Sequence, residues 1–209
     1  LIMLAGLPYS EFANQCPPGA LIVGVDEAGR GPLAGPVVAS AVVLCKPLPS
    51  GLDDSKRLSA AKRSTLDERV RRRCAWGVGI VEPEGIDRLN IFGATMLAMT
   101  QAVARLAQEL GRAPDMVLVD GNLTPAGRCE GWGWPARAIV GGDASEPAIS
   151  AASIVAKEWR DRLMIAAARE HPHYGWQRNK GYGTAEHLAA LQEHGPCAHH
   201  RRSFAPVAQ

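Results

Sequence analysis

Four acidic residues stand where an apolar run meets a glycine-containing turn. They are Asp26, Glu27, Asp120 and Asp143. Because sites in α/β proteins assemble where strand ends meet at one edge of a sheet, these side chains can converge. Adjacent residues of a regular strand point to opposite faces, so Asp26 and Glu27 share a site only if the chain bends or Glu27 contributes its backbone carbonyl. A glycine-rich turn over residues 28–31 favours such a bend.

Converging carboxylates have a characteristic chemistry. Without a nearby cation they repel one another and raise one another's pKa, so a cluster of three or four indicates a bound divalent metal. Oxygen-only ligands suit Mg²⁺ or Mn²⁺, and pairs of such ions hydrolyse phosphodiesters. Each position taken alone is explained more simply as a turn residue. Only the set as a whole favours a metal-dependent hydrolase.

Motifs for several other chemistries are absent from the sequence. It contains no G-x-x-x-x-G-K-[ST], no H-E-x-x-H and no G-x-S-x-G. The glycines between Gly29 and Gly35 resemble a dinucleotide fingerprint, but the last spacing is one residue too long and Pro32 interrupts the turn. A Rossmann domain is therefore excluded.

Basic and aromatic residues are concentrated in two segments. Residues 53–73 hold eight Lys or Arg against four Asp or Glu, a local charge of +4 that fits either phosphate tracking or a solvated helix face. Tyr174, Trp176 and Tyr182 lie among glycines and cations, as in surfaces that stack on sugars or bases. A small aromatic core is an equal alternative for Tyr174 and Trp176. Tyr182 lies between two glycines and is less suited to a core.

All six histidines fall within residues 170–202. A zinc site is one interpretation, but the pairs His171/His173 and His199/His200 lack a carboxylate or thiolate at metal-ligand spacing. Phosphate contacts and capping roles are favoured instead. We expect the C-terminal region to face a polyanion.

The elements that would position these residues follow from apolar periodicity and turn signals. Strands are predicted over residues 21–26, 37–44, 75–81, 116–119 and 137–140, the first three antiparallel and the last two buried. Helices are predicted over residues 62–73, 86–110 (interrupted near Gly93), 148–168 and 184–193. The order predicts an α/β fold with a central mixed five-stranded sheet flanked by helices, and a small C-terminal helical region.

Length and composition bound the remaining possibilities. The chain has 209 residues, 46% of them hydrophobic, and a net charge of +2, which fits one soluble domain. No apolar run reaches the roughly 18 residues of a membrane span, and the N-terminal segment is a poor signal peptide, so we expect a cytoplasmic protein without membrane contact. The predicted parts are an N-terminal lead-in (1–19), an α/β core (20–168) and a C-terminal helical region (169–209).

Ordered motifs across nearly the whole chain resemble the type 2 ribonucleases H, and among them the bacterial ribonuclease HII family. The matching segments are VDEAGRGP (25–32), DSKRLS (54–59), LNI and ATM (89–96), VDGN (119–122), GD with ISAASIVAK (142–157), KGYGT (180–184) and HRRSF (200–204). The resemblance implies a ribonuclease H-like fold in which Asp26, Glu27, Asp120 and Asp143 bind two Mn²⁺ or Mg²⁺ ions.

The resemblance also implies the reaction and its substrates. It is hydrolysis of the RNA strand of RNA/DNA hybrids and nicking 5′ to ribonucleotides embedded in duplex DNA, leaving 5′-phosphate and 3′-hydroxyl ends. The implied substrate-binding residues are Gly29, Arg30, Gly31, Lys56, Asn122, Tyr182, Arg201 and Arg202. The turn would read the 2′-hydroxyl through its backbone, and Tyr182 would stack on the sugar. A monomer is expected, and the short tail after Phe204 shows no sliding-clamp peptide.

Two alternatives to this function stay open. A nuclease for branched DNA, or a strand-transfer enzyme, would use the same carboxylates without a 2′-hydroxyl reader. A non-catalytic nucleic-acid-binding module would explain the basic and aromatic residues. It gives no reason for four converging acids.

Overall fold

A five-stranded mixed sheet forms the centre of the molecule. The computed structural model describes residues 19–52, 55 and 58–207. The strands are β1 (Ile22–Ala28), β2 (Val37–Val43), β3 (Ala75–Val81), β4 (Met116–Asp120) and β5 (Ala136–Ile139). They lie in the order β3-β2-β1-β4-β5, with β1 to β3 antiparallel and β1, β4 and β5 parallel. The predicted mixed sheet is confirmed.

Helices cover both faces of this sheet. In chain order they are α1 (Ala60–Arg73), α2 (Pro83–Leu110), α3 (Gly142–Ser145), α4 (Pro147–Glu170), α5 (Trp176–Asn179) and α6 (Ala185–His194), with a 3₁₀ turn over Pro172–Tyr174. Thr184, predicted as the first helical residue, instead caps α6 by accepting a hydrogen bond from the His187 amide. Helix α4 runs two residues past the predicted end of the core at residue 168.

Alternate side chains of the strands point to opposite faces of the sheet and contribute to two apolar layers. On one face Val23 and Val25 of β1 pack with α2 residues such as Met99 and Leu106. On the other face β2 and β3 pack against α4 through a second cluster. Strands with both faces buried are nearly continuous apolar runs, which is why β1, β2 and β4 stand out in the sequence.

Helix α4 passes very close to β1 at Gly24. A Cβ atom built there would lie 2.2 Å from the Ala148 carbonyl carbon. Only glycine permits this approach, because any side chain would push the helix away. Asp26, two residues along the strand, points to the same face as Gly24. The first turns of α4 are therefore held next to Asp26.

Two predicted elements differ in detail from the structure. Strand β5 lies at one edge of the sheet and its residues are only half-buried, whereas the sequence predicts a buried strand. Helix α2 is interrupted at Asn90 (φ 57°, ψ 170°) rather than at Gly93. The Asn90 Oδ1 accepts hydrogen bonds from the amides of Phe92 and Gly93, so Asn90 ends one helical segment and caps the next.

Two predictions concern residues outside the described part of the chain. The lead-in lies there except for Gly19, and so does Lys56. Among the described helices, none is long and apolar enough to cross a membrane.

Candidate active site

Three of the four predicted carboxylates meet at one edge of the sheet. Asp26 lies near the end of β1, and Asp120 is the last residue of β4, the parallel neighbour of β1. Asp143 follows a left-handed turn at Gly141 and lies in α3. One carboxylate oxygen from each aspartate lies within 4.8 Å of the others. The Asp143 amide donates to Asp120 Oδ1 at 3.3 Å, which ties two of them together.

Glu27 lies beside this group. Strand β1 stays regular through Glu27, and the left-handed backbone that turns the chain comes at Gly29 (φ +96°). Glu27 Oε1 is 3.5 Å from Arg30 Nη1. Burial raises the pKa of Glu27, the Arg30 charge lowers it, and repulsion from Asp120 raises it again. The charge of Glu27 is therefore coupled to the aspartates, although Glu27 is not one of the three that meet.

The surroundings of Asp26 disfavour its charged form. Burial, followed by repulsion from Glu27 and Asp120, raises the pKa of Asp26 well above its ordinary value. A hydrogen bond from Ser153 and one from the Glu27 amide, at 2.7 Å, favour the charged form. A divalent cation would remove the repulsion, and an all-oxygen donor set suits Mg²⁺ or Mn²⁺. The residues present fit the predicted ions.

A cavity of about 280 Å³ opens next to Asp26 and Glu27. Its wall is formed by Ala28, Gly29, Arg30, Gly31, Ser55, Ser153, Lys157, Arg160 and Tyr182 together with the two acids. Ser55 and Ser153 share a 2.8 Å hydrogen bond between their hydroxyls. The cavity thus places carboxylates, hydroxyls and cations around one space, as a phosphodiester substrate requires.

The turn after β1 contains a glycine, Gly29, whose positive φ other residue types rarely adopt. A Cβ on Gly29 would lie 2.0 Å from Arg160 Nε and 2.8 Å from the Pro36 carbonyl oxygen. Gly31 faces open space, and its nearest neighbour would be Tyr182 Cε1 at 3.8 Å. Gly29 is therefore required by the fold, whereas Gly31 keeps the space beside Tyr182 open.

Arg201 has a different role from the predicted phosphate contact. Its side chain is 0% exposed. Nη2 donates to the carbonyls of Gly29 (2.5 Å) and Pro36 (3.2 Å), Nη1 to Arg30 (2.9 Å), and Nε to Gly35 (2.9 Å). Burial, then repulsion from Arg160, lowers the pKa of Arg201 to about 9. All three guanidinium nitrogens of Arg201 donate to backbone carbonyls of the turn. Arg201 therefore supports the turn, and the predicted phosphate contact is corrected.

Arg160 completes this support from α4. It donates to the carbonyls of Ala34 (3.0 Å), Pro36 (2.9 Å) and Lys180 (2.9 Å). Burial lowers the pKa of Arg160 to about 10. One side chain therefore joins the turn after β1 to the segment that carries Tyr182.

Tyr182 lies on the rim of the cavity with 46% of its surface exposed. Its backbone is fixed: its amide donates to the Asn179 carbonyl at 2.9 Å, and its carbonyl accepts from the Thr184 amide at 2.8 Å and from His187 Nδ1 at 2.9 Å. A half-exposed ring on a rigid backbone is suited to stacking. The structure brings Tyr182 and the glycine turn together, as predicted.

Two other predicted contact residues lie away from the cavity. Arg202 and Asn122 are exposed and are not part of its wall. The Arg202 amide donates to Asp87 Oδ2 at 2.9 Å, which fixes the backbone next to Arg201. Nothing in the cavity's geometry therefore distinguishes these two side chains from ordinary surface residues.

Sequence reasoning assigned no role to three α4 residues that line the cavity: Ser153, Lys157 and Arg160. They recur at spacings of four and three residues, so they share one face of the helix. A polar stripe on an otherwise Ala-rich, buried helix is the signal that could have found them.

Four of the aromatic and histidine residues of the C-terminal region form a core rather than a binding surface. Tyr174 and Trp176 are buried and stacked, with ring centroids 4.9 Å apart. His187 and His200 are buried against them. The phosphate-contact interpretation is therefore wrong for these two histidines, and the aromatic-core alternative is correct for Tyr174 and Trp176.

The basic segment is partly neutralised by ion pairs. Arg63 pairs with Glu158 at 2.7 Å, and Arg71 pairs with Asp67 at 3.0 Å. Arg162 of α4 also contacts Asp67. The pairs of Arg63 with Glu158 and of Arg162 with Asp67 attach α1 to α4, so part of the local charge serves packing.

Comparisons with known proteins identify a family of similar sequences. The family model described as Ribonuclease HII matches residues 23–207. A ribonuclease HII of Novosphingobium aromaticivorans is 74% identical over 189 residues, which cover 90% of this chain and 96% of that protein. A ribonuclease HII of Erythrobacter litoralis is 63% identical over 207 residues, covering 99% of this chain and 98% of that protein.

Solved structures show the same fold at lower identity. The ribonuclease H2 of Pyrococcus horikoshii superposes with a TM-score of 0.70 at 23% identity, covering 90% of this chain and 95% of that one. A ribonuclease HII of Archaeoglobus fulgidus, solved in complex with PCNA, gives a TM-score of 0.69 at 26% identity, covering 88% and 95%. The sheet order and flanking helices described above are thus those of a ribonuclease H-like fold.

Proposed function

The chain belongs to the ribonuclease HII family of ribonuclease H endonucleases, and from this premise we propose that it hydrolyses the RNA strand of RNA/DNA hybrids and nicks 5′ to ribonucleotides embedded in duplex DNA. The observation that carries the proposal is one cavity that contains both Asp26 and Glu27 and the Gly29–Gly31 turn with Tyr182. A nuclease that ignored the 2′-hydroxyl would have no use for the second half of this arrangement.

The carboxylates supply the binding of divalent ions. Asp26, Asp120 and Asp143 would hold two Mg²⁺ or Mn²⁺ ions, with Glu27 as the fourth acid. Such ions, when bound, activate water as a nucleophile and stabilise the charge that develops on the departing 3′ oxygen, giving 5′-phosphate and 3′-hydroxyl products. The fixed strand ends bring the acids together before substrate arrives, so no reorganisation is needed during the reaction.

The glycine turn and Tyr182 supply the selection of ribonucleotides. The 2′-hydroxyl is what distinguishes RNA from DNA at a given position, and both donors and acceptors can read it. Glycine allows the backbone of residues 29–31 to approach a sugar closely. Arg30 and Lys157 add positive charge on the cavity wall, where they would face phosphates. Tyr182 would stack against the sugar next to the scissile bond.

Three end-labelled duplexes test the proposal in Mg²⁺ and, separately, in Mn²⁺: all DNA, DNA with one internal ribonucleotide, and DNA paired with RNA. We expect cutting of the hybrid and a nick 5′ to the single ribonucleotide, with the all-DNA duplex intact. Equal cutting of all three would indicate a DNA nuclease. No cutting by a folded protein, with no metal-dependent change in its melting temperature, would indicate a binding module.

Substitution of Tyr182 separates selection from chemistry. Stacking on an aromatic ring contributes about 1–3 kcal/mol, so Tyr182→Ala should lower the rate at a single ribonucleotide about tenfold or more. Tyr182→Phe keeps the ring and serves as the matched control, which should retain nearly full activity. If both variants cut the single ribonucleotide at the wild-type rate, the role assigned to Tyr182 is wrong.

A further inference from the structure

A second cluster of metal-ligand residues lies where α4 ends, apart from the aspartates. Glu170 is the last residue of α4, His171 follows it, and His199 comes from the segment that leads to Arg201. A carboxylate oxygen and one nitrogen from each imidazole all lie within 4.8 Å of one another. The fold thus supplies the carboxylate that is missing from the spacing of the histidines in the sequence.

The donor set of this cluster differs from that of the active site. Two imidazoles and one carboxylate are ligands of Zn²⁺ and similar transition-metal ions, and zinc sites of this composition keep a fourth position for water. Mg²⁺ prefers oxygen ligands alone. The two clusters therefore suit different classes of cation.

The two imidazoles are held in place by their surroundings. The His171 amide donates to the Ala167 carbonyl at 3.0 Å, and the His199 carbonyl accepts from the Gly35 amide at 2.8 Å. Both rings stand edge-on to the buried Trp176, with centroid distances of 5.7 and 5.6 Å. Fixed imidazoles lose little conformational entropy when they bind an ion.

Only a small rearrangement would close the cluster around an ion. Ligand atoms of a tetrahedral zinc site stand about 3.3 Å apart, since each lies about 2.0–2.1 Å from the metal. Glu170 is exposed, so its side chain is free to turn toward the two rings. A rotation of the Glu170 side chain would bring its carboxylate to the distance that a shared ion requires.

The neighbouring cleft also favours a cation. Glu170 and His199 line a cleft of about 200 Å³ together with Glu82, and none of the described residues in its wall is Lys or Arg. Glu82 is exposed and makes no side-chain cap with α2. The cleft leaves space for a water ligand in the fourth position.

We propose that Glu170, His171 and His199 form a site for Zn²⁺ or a chemically similar divalent cation. The ion would join the end of α4 to the segment around His199. Because that segment bonds to Gly35 and leads directly to Arg201, the ion would strengthen the attachment of the C-terminal region to the turn after β1. Its role is structural and does not depend on the nuclease activity.

Binding of Zn²⁺ to the full-length protein, measured calorimetrically in excess Mg²⁺, tests the site. Glu170→Gln removes the ligand charge at an exposed position that does not affect folding. Loss of a mere outer-shell partner costs 10–100-fold in affinity, so loss of a direct ligand should weaken Zn²⁺ binding at least about tenfold. His199→Ala should do the same, and His194→Ala, an exposed histidine outside the cluster, is the control.

Two further readouts make the outcome independent of activity. Co²⁺ in a site with two imidazoles should give a visible absorption band that Glu170→Gln and His199→Ala weaken. Zn²⁺ at about 100 times its Kd should raise the wild-type melting temperature by about 5–10 °C, and that of Glu170→Gln less. Equal Zn²⁺ affinity in wild type and both variants, or no Zn²⁺ binding by the wild type, would overturn the proposal.

Discussion

At the scale of single residues, Asp26 and Asp87 are carboxylates that the fold treats in opposite ways. Burial and neighbouring acids raise the pKa of Asp26. Around Asp87, burial acts in the same direction, but hydrogen bonds from Ser203 and the Arg202 amide outweigh it and lower the pKa of Asp87. Asp26 is thus placed for cation binding at a cost in stability, and Asp87 for stability alone.

Asp26→Asn should separate stability from activity. A raised folded-state pKa means that Asp26 contributes stability below its unfolded pKa of about 3.8 and that this contribution is lost as pH rises through the folded value. At neutral pH the substitution should therefore raise the melting temperature of the metal-free protein, measured in EDTA. Activity should fall by about 10²–10³-fold or more, since loss of one transition-state donor already costs that much.

The control for this prediction is Asp87→Asn. Its folded-state pKa is lowered, so the ionised form stabilises the fold above about pH 3.8 and the substitution should lower the melting temperature. A lower melting temperature for Asp26→Asn in EDTA would contradict the account of the site.

The residue types explain which functional side chains could be predicted. Asp26, Asp120 and Asp143 are recognisable only as a set, because each follows an apolar run beside glycine and converging carboxylates indicate a metal site, whereas each alone fits an ordinary turn. Arg201 is predicted to contact phosphate because its residue type indicates a cation, but the type does not reveal that the side chain is buried. Its partners are 165 to 172 residues away in the sequence. Nothing local in the sequence specifies such contacts.

At the scale of elements, the boundaries set by strong local signals were predicted well. Strand β3 has the predicted bounds, and α6 begins one residue after the predicted start at Thr184. Strand β5 was predicted as buried because its sequence is apolar, but an edge position depends on which strands pair, which local sequence does not determine. The same limit applies to α2, where capping by Asn90 competes with continued helix.

Gly29→Ala and Gly31→Ala should affect different properties of the turn. Alanine at Gly29 adopts a positive φ and meets Arg160, so the free energy of unfolding should fall by about 1–3 kcal/mol. The Cβ of an alanine at Gly31 would contact only Tyr182 Cε1, at 3.8 Å. The free energy of unfolding should therefore change by less than about 0.5 kcal/mol. Its added methyl should nonetheless slow cutting at a single ribonucleotide.

Chemical unfolding and the single-ribonucleotide assay measure these two effects. The expected pattern is a destabilised Gly29→Ala and a stable but slower Gly31→Ala. If Gly31→Ala lost as much stability as Gly29→Ala, the turn would be a purely structural feature.

At the scale of the whole molecule, a buried chain of hydrogen bonds ties the C-terminal region together. The Cys197 amide donates to His200 Nδ1 at 3.0 Å, so His200 Nε2 carries the proton and donates to His187 Nε2 at 3.1 Å. Trp176 Nε1 donates to the same atom at 3.1 Å, and His187 Nδ1 donates to the Tyr182 carbonyl. The complete chain requires both imidazoles to be neutral, because His200 Nδ1 and His187 Nε2 act as acceptors.

This chain predicts a loss of stability in mild acid. Burial lowers the pKa of His187, and burial together with repulsion from His187 lowers that of His200 from 6.5 to about 4. A lowered folded-state pKa stabilises the protein above about pH 6.5, and this contribution is lost as pH falls toward about 4. The free energy of unfolding should therefore decrease over that window.

The measurement is the slope of the unfolding free energy against pH between about 6.5 and 5, where any contribution of Asp26 and Glu27, whose pKa is raised, is common to wild type and variant. His200→Gln, which does not titrate, should show a smaller slope than wild type. Equal slopes would mean that the buried pair is not the source of the acid sensitivity.

The hydrogen bonds from Arg201 to the turn after β1 also affect the order in which the chain can fold during synthesis. Gly29 and Arg201 are 172 residues apart in the chain. At a synthesis rate of about 5–20 residues per second, roughly 10–30 s pass between the two residues leaving the peptidyl-transferase centre. During that interval Asp26 and Glu27 already exist, but the carbonyls of Gly29 and Arg30 lack the guanidinium that they accept from in the folded protein. The turn after β1 is therefore completed only after Arg201 has been added, although its own residues are among the first of the sheet to be synthesised.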